Sequence, residues 1–436
     1  MSGYVRRGNL LFDPATGAQA GYVGMNGNEQ LLNAAALQSL VSGAGNIPNA
    51  YKLRRSMSRI GQAYARQAHI GVFGNSIAAG AYANDVVTTV SPADVTWNSV
   101  GWVGVMRRIL AARYGTASLA GLLHPAENFS TNFTVGGSAA QAGPNNNVGL
   151  AGYRINLAGA SDTASLSGTG RYLRVWGFAL ASGTKARYTI DGGSLTTDPG
   201  AGASGATPSG SGQFWYTFDI DCSTDAAHTV VLQGAASGSW YVYAAAFLSQ
   251  TTSGVVVHRL GRSGAVLPDI IAASLDATDT AGPAWRTTLT DNSKTQQLES
   301  LTTRLGLDLA ICMIDANDLT GGWSTYGYTL SDVRRHAQNF ANRVTALGID
   351  VLFVSGARRD PSSNAVGCPH TQDEVIAQYK SVADGMDRCA HVDLSLAYPT
   401  FADANADGLL IDTVHPNSRG HGWIGARVAQ ALLAAA

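Results

Sequence analysis

Cysteine is scarce in this 436-residue chain: the four, Cys222, Cys312, Cys368 and Cys389, lie far apart with no CxxC pair. Such spacing argues against a disulfide scaffold and against a cysteine zinc site. Charge is also thin, at 14% of residues with a net charge of -1, and the positive part is almost all arginine. A near-neutral chain offers no broad footprint for nucleic acid or anionic lipid, so neither nucleic acid nor membrane is an expected partner. No apolar run approaches the ~20 residues that cross a bilayer. No HExxH or similar spacing gathers the nine histidines, so neither metal nor cofactor is expected. The opening MSGYVRRGNLLFDPATG has charge but no apolar core, and a soluble protein without a Sec leader is expected.

What is present is apolar material, 45% of residues, enough for a sizeable core in two or three domains. Residues 1–62 are Gly- and Asn-rich, with a turn signal at DPATG and a helix-like stretch at NEQLLNAAALQSLV. They form an expected N-terminal extension. Within 63–149 the strand-like HIGVF enters a Gly74-Asn75-Ser76 turn. GWVGVMRRILAARYG follows, with Val103, Met106, Ile109 and Leu110 at helical spacing and a stop at Gly115. Within 150–253, short alternating runs such as RYLRVWGFAL, HTVVLQG and SWYVYAAAF are split by Gly, Ser and Asp clusters. They predict an antiparallel β-sandwich. Within 254–436 the apolar GVVVHRL, LDLAICMI and DVLFVSG alternate with helical KTQQLESLTTRL and VRRHAQNFANRVTALG, and GHGWIGARVAQALLAAA closes the chain. Strands alternating with helices indicate a three-layer α/β/α domain on a parallel sheet, interrupted by the inserted sandwich.

Sites gather at the C-terminal ends of parallel strands, and four stations stand there. The first strand ends in Gly74-Asn75-Ser76, the second in Leu260-Gly261-Arg262-Ser263-Gly264, and a third in Asp315-Ala316-Asn317-Asp318. The loop before the last helix reads Asp412-Thr413-Val414-His415-Pro416-Asn417. Singly, each has a plain structural explanation: a turn serine, a strand-ending glycine, a helix cap, a surface Asp and His. Their order along the chain is what carries weight.

That ordered set resembles the SGNH, or GDSL, hydrolases, whose GDS, Gly, GxND and DxxH blocks correspond here to GNS, GRSG, DAND and DTVH. The resemblance covers roughly 66–149 and 254–436 and implies a flavodoxin-like parallel sheet. It also implies an ester hydrolase with Ser76 as nucleophile, His415 as base and Asp412 as its orienting acid. The oxyanion hole would be Ser76, Gly261 and Asn317. The chemistry is coherent, since a serine hydroxyl needs an adjacent base and imidazole suits neutral pH. The turn G-N-S-I-A lacks the G-x-S-x-G of α/β-hydrolases. Two departures stand out: Asn75 replaces Asp while keeping an acceptor to brace the turn, and Asp315 replaces Gly and is expected to bring a carboxylate near the oxyanion hole. Gly136-Gly137 is a rival for the Gly block. Asp403-Ala-Asn405-Ala-Asp407-Gly408 begins like a calcium loop, but position twelve is Val414, and a polar turn is expected.

SGNH enzymes with sandwich insertions are often carbohydrate O-deacetylases, so the implied substrate is an O-acetylated polysaccharide or another ester. Alternation sends about half of Phe214, Trp215, Tyr216, Trp240, Tyr241 and Tyr243 inward, leaving the others free to stack on sugar. Trp323, Tyr326, Tyr328, Arg358 and Arg359 follow strand ends and stand as pocket candidates or as caps and surface groups. Residues 9–32, NLLFDPATGAQAGYVGMNGNEQLL, resemble the attachment segments of phage tail fibres, which implies virion partners through the N-terminal extension. A second copy of the chain is an open alternative partner. The competing reading is a non-catalytic glycan-binding or structural tail protein on a decayed SGNH fold.

Overall fold

The computed structural model describes residues 49–83, 101–119, 132–142, 154–179, 186–197, 214–236, 240–261 and 305–435, a few isolated positions, and the backbone of four strands before residue 32. The chain divides into two compact units, Met1–Asn46 and Ile47–Ala436. In the first, Val5–Arg7, Leu10–Phe12, Gln19–Val23 and Glu29–Leu31 form an antiparallel sheet in sequence order. Glu29–Leu31 is therefore a strand where NEQLL predicts helix. Ladder pairing with Gln19–Val23 satisfies its backbone, and such context readily overrides a weak local propensity. The remainder of that predicted helix lies outside the described residues.

The second unit is built on a five-stranded parallel sheet. Its strands are β1 (Gln67–Gly74), β2 (Gly254–Gly261), β3 (Leu309–Met313), β4 (Asp350–Ser355) and β5 (Cys389–Asp393), in the order β2-β1-β3-β4-β5. All neighbours pair in parallel. β2, β3 and β4 are buried along their whole length, as strands covered on both faces must be. Alternation divides their side chains between two cores. Ile70, Val72, Val257, Ile311 and Val354 meet α1 (Arg54–Gly61), α3 (Trp102–Tyr114) and α6 (Ser418–Ala435). On the other side Phe73, Cys312 and Phe353 meet α4 (Leu330–Ala346) and α5 (Gln372–Gly385). A four-residue helix, α2 (Ser76–Ala79), starts at the end of β1. Residues 50–61, grouped by composition with the extension, bury Leu53, Met57 and Ile60 in the α/β core. The predicted helix KTQQLESLTTRL lies almost wholly outside the described residues.

Between β1 and β2 stand two antiparallel sheets of five strands each. One takes in Phe214–Asp221, Tyr172–Ala179 and Trp240–Leu248, the other Arg187–Ile190, Ala227–Gln233 and Thr163–Thr169. Leu173, Val175, Ile220, Val230, Leu232 and Val242 fill the space between them. Their short edge strands Thr134–Gly136 and Ala140–Ala142 precede the composition change near residue 150; three residues carry too little alternation to be read. The outer face of the first sheet sends Trp176, Tyr243 and Leu248 into the α/β core beside Val256 and Leu260. The architecture is thus mixed α/β, a central parallel sheet with separate antiparallel sheets.

Candidate active site

In the order β2-β1-β3 the sheet winds in opposite directions from β1, and the crevice at such a switch point is where open α/β sheets place ligands. Register puts Gly74, Gly261 and Met313 abreast, so the turns bearing Ser76, Gly261 and Asn317 leave the sheet side by side.

Asn75 caps α2, its Oδ1 accepting from the Ile77 N–H at 3.0 Å. The turn is braced as the acceptor at this position predicts. Asn75 is fully buried, and its Nδ2 has no hydrogen-bond partner. An Asp here would bury an unpaired anionic oxygen in that place, which costs more than a neutral N–H. Ser76 is the first residue of α2, so its N–H falls outside the intrahelical bonds. The residue remains 7% exposed.

The partners arrive from the far end of the chain. Ser76 Oγ lies 3.0 Å from His415 Nε2, and His415 Nδ1 lies 2.9 Å from Asp412 Oδ2. With Nδ1–H donated to the carboxylate, Nε2 is left to accept the serine proton. Asp412 Oδ1 accepts from the backbone N–H groups of Val414 and His415 at 2.7 and 2.6 Å. Partial burial raises the Asp412 pKa, but the bonds from His415 and the two backbone groups outweigh it and bring it down to about 2. The carboxylate is therefore ionised at neutral pH. Asn417 closes the loop, donating to the Gly408 carbonyl and accepting from the Gly420 N–H, each at 2.9 Å.

Gly261 ends β2 against α2. A Cβ there would fall 2.4 Å from Ala79 N and 2.5 Å from the Ala78 carbonyl carbon, both backbone atoms. Gly261→Ala is therefore expected to displace the helix carrying Ser76 and to lower kcat about 100-fold. Wild-type kcat in steady-state kinetics would contradict this. Arg262–Gly264 lie outside the described residues. The rival Gly136-Gly137 sits in the antiparallel sheet, where a Cβ on Gly137 would meet Asp162 and the Ser161 carbonyl.

Asn317 is half-buried on the turn after β3, and its Nδ2 donates to the Ala265 carbonyl at 2.8 Å. One amide hydrogen is spent there and the other remains. Asp315, on the same turn, is 3% exposed. Its carboxylate accepts from Gly356 N–H at 3.4 Å and Gln372 Nε2 at 3.2 Å. Burial raises its pKa against those bonds. Arg359, 4% exposed, donates to the Ala316 carbonyl at 2.6 Å. Asp318 accepts from Tyr379 Oη at 2.6 Å. Each neighbour of Asn317 is thus pinned from behind. Asp315→Gly leaves the buried Gly356 N–H without its acceptor and takes one of two acceptors from Gln372 Nε2, which also donates to the Ala357 carbonyl at 3.2 Å, and unfolding by urea is expected to show a loss of about 1–3 kcal/mol. Unchanged stability would contradict the assignment.

Several candidates lie elsewhere. Trp240 and Tyr243 are fully buried, Trp240 donating to the Gln233 carbonyl at 3.1 Å, and they are core. Tyr241 is partly buried, and the side chains of Phe214, Trp215 and Tyr216 lie outside the described residues. Tyr328 and Arg359 are buried, Arg358 pairs with Asp373, and half-buried Trp323 stands edge-on to His370. The expected polar turn at 403–408 is largely helix, Phe401–Ala406, because Thr400 and Asp403 form a capping box. Among the described residues no group of three His, Cys, Asp or Glu side chains could hold a metal. Among them, too, no helix is long and apolar enough to cross a membrane.

Two neighbours of the site were not legible. Tyr82 has a left-handed backbone, φ 62°, and its ring centroid is 4.7 Å from that of His415. That backbone costs a non-glycine residue roughly 1–2 kcal/mol. His421 accepts from Trp102 N–H at 3.2 Å and donates to the Ala81 carbonyl at 2.8 Å. The only local signal was a lone aromatic after Gly80.

No protein-family model and no curated relative matches the sequence. Among solved structures, a peptidoglycan O-acetylesterase aligns with a TM-score of 0.61 at 15% identity, over 88% of this chain and 97% of that one. A family two carbohydrate esterase from Cellvibrio japonicus aligns at 11% identity over 69% of this chain and 96% of that one, with a TM-score of only 0.26. The second overlap is too loose to carry weight. The first establishes that this chain shares the fold of a peptidoglycan O-acetylesterase over 88% of its length.

Proposed function

We propose that the chain is a serine esterase that removes O-acetyl groups from a polysaccharide. The observation that carries the reading is the continuous line from Ser76 Oγ through His415 to Asp412, at 3.0 and 2.9 Å, at the switch point of the sheet. The O-acetylated peptidoglycan on which the esterase of the same fold acts supports the substrate class.

The Ser76 hydroxyl passes its proton to His415 Nε2 as Oγ bonds to the acetyl carbonyl carbon. Asp412 holds the ring and stabilises the imidazolium without taking its proton. The oxyanion accepts from Ser76 N–H, Gly261 N–H and the remaining amide hydrogen of Asn317, each donor worth roughly 2.7–4 kcal/mol. Collapse breaks the bond to the sugar oxygen, which takes the proton from His415 and leaves as an alcohol. Water, deprotonated by His415, then splits the acetyl-enzyme, releasing acetate and restoring Ser76. The N-terminal extension, residues 1–62, serves in this reading as the attachment segment of a phage tail protein, supported by the resemblance of residues 9–32.

The test is acetate release from O-acetylated polysaccharides, and hydrolysis of p-nitrophenyl acetate, by wild type and Ser76→Ala. Equal rates would sink the proposal. A fluorophosphonate probe separates it from the non-catalytic reading, because only an activated Ser76 is labelled.

A further inference from the structure

Asp412 is 39% and His415 22% exposed at the side chain. An imidazole so open to water is free to swing unless something fixes its plane. Its hydrogen bonds fix the two nitrogens, but neither covers the ring face. Among the described residues the aromatic ring that meets it is Tyr82, 4.7 Å away between centroids and tilted 59°.

The backbone holds Tyr82 there at a conformational cost. Tyr82 is one of few described non-glycine residues in the left-handed region, at φ 62°. Bonds close in on both sides of it: Ala81 N–H donates to the Ser76 carbonyl at 2.9 Å and Ala83 N–H to the Gly80 carbonyl at 3.2 Å. The Ala81 carbonyl accepts from His421 Nε2 at 2.8 Å, and Ala81 and Ala83 are buried while Tyr82 is half-exposed. Glycine would adopt this backbone without strain, so the fold's demand at this position is not for tyrosine. A strained non-glycine residue over-determined by its neighbours, beside a reactive group, points to function.

We infer that Tyr82 is a positioning residue that holds the His415 ring in line between Ser76 and Asp412. The segment Ser76–Ala83 thereby carries both the nucleophile and the wall for its base, and His421 locks the wall. This inference rests on the esterase reading for its kinetic consequence, and its geometry can be read without turnover.

The experiment compares Tyr82→Phe, Tyr82→Leu and Tyr82→Gly with wild type on p-nitrophenyl acetate, with thermal unfolding and the NMR shifts of the His415 ring protons. Tyr82→Leu is expected to lose about 10- to 100-fold in kcat with KM little changed, and to lose the ring-current shift of His415. Tyr82→Phe should recover most of kcat and the shift. Tyr82→Gly should melt at or above the wild-type temperature, because the left-handed strain is relieved, yet lose kcat as Leu does. The inference is overturned if Tyr82→Leu keeps wild-type kcat, if KM rises while kcat holds, or if the His415 shifts do not respond to the ring. Absence of turnover and of probe labelling in the wild type would instead overturn the esterase reading, with the NMR comparison still deciding the geometry.

Discussion

Ser76→Ala is expected to abolish acetate release, with kcat/KM falling at least about 10⁴-fold and stability within experimental error of wild type. The loss is large because the hydroxyl is the only atom that bonds to the acyl group. Its folding role is small: Oγ bonds Nε2 of the partly exposed His415 side chain, and water can take its place. Asp412→Ala should cost less, since that carboxylate is exposed and water can partly stand in for it. Asp412→Asn should cost more than Asp412→Ala, because an amide can donate to Nδ1 and hold the wrong tautomer. Burst kinetics with p-nitrophenyl acetate measure the acylation step directly. A Ser76→Ala protein that retains a burst would refute the assignment.

Asp318→Asn is expected to stabilise the protein, and to do so much more at pH 8 than at pH 4.5. Burial pushes the Asp318 pKa up from 3.8 to about 7, opposed by the Tyr379 hydrogen bond and helped by the charge of Asp315. Between those values the folded chain holds a proton that the unfolded chain has released, so wild-type stability falls as pH rises through the window. An asparagine cannot ionise, and its carbonyl still accepts from Tyr379. The stability difference between variant and wild type should therefore grow by on the order of 3 kcal/mol from pH 4.5 to 8. The comparison must be between proteins at each pH, because buried histidines act with the opposite sign. Burial, with the charges of Arg174 and Arg66, lowers His69 to about 3, and burial lowers His391 to about 4. Below pH 6.5 the unfolded chain protonates these two first, so they remove stability as pH falls. Urea unfolding at the two pH values decides the matter, and an equal difference at both would refute it.

The candidate site was legible where its chemistry is local. Asp412 and His415 are three residues apart, and that spacing alone lets one loop present both. Gly261 was legible as a strand end, although its close approach to Ala78 and Ala79 was not. The partners of Asp315 were not legible, because its carboxylate answers to Gly356 and Gln372, 41 and 57 residues away. Glu29–Leu31 was misread because three residues hold too little pattern to outweigh a partner strand.

Alternating apolar runs, caps and the order of the four blocks are properties of neighbours along the chain, and they determine the α/β class, the sandwich texture and which residue types could react. The tertiary structure decided what depends on distance. It aligned Gly74, Gly261 and Met313, brought Ser76 to His415 across 339 residues, and tied the Asp315 carboxylate to Gly356 and Gln372. It also bent Tyr82 into a backbone its own sequence disfavours. Local free energies set the elements, but the contacts that position the His415 ring come from packing between elements that are remote in sequence, and only the folded chain assembles them.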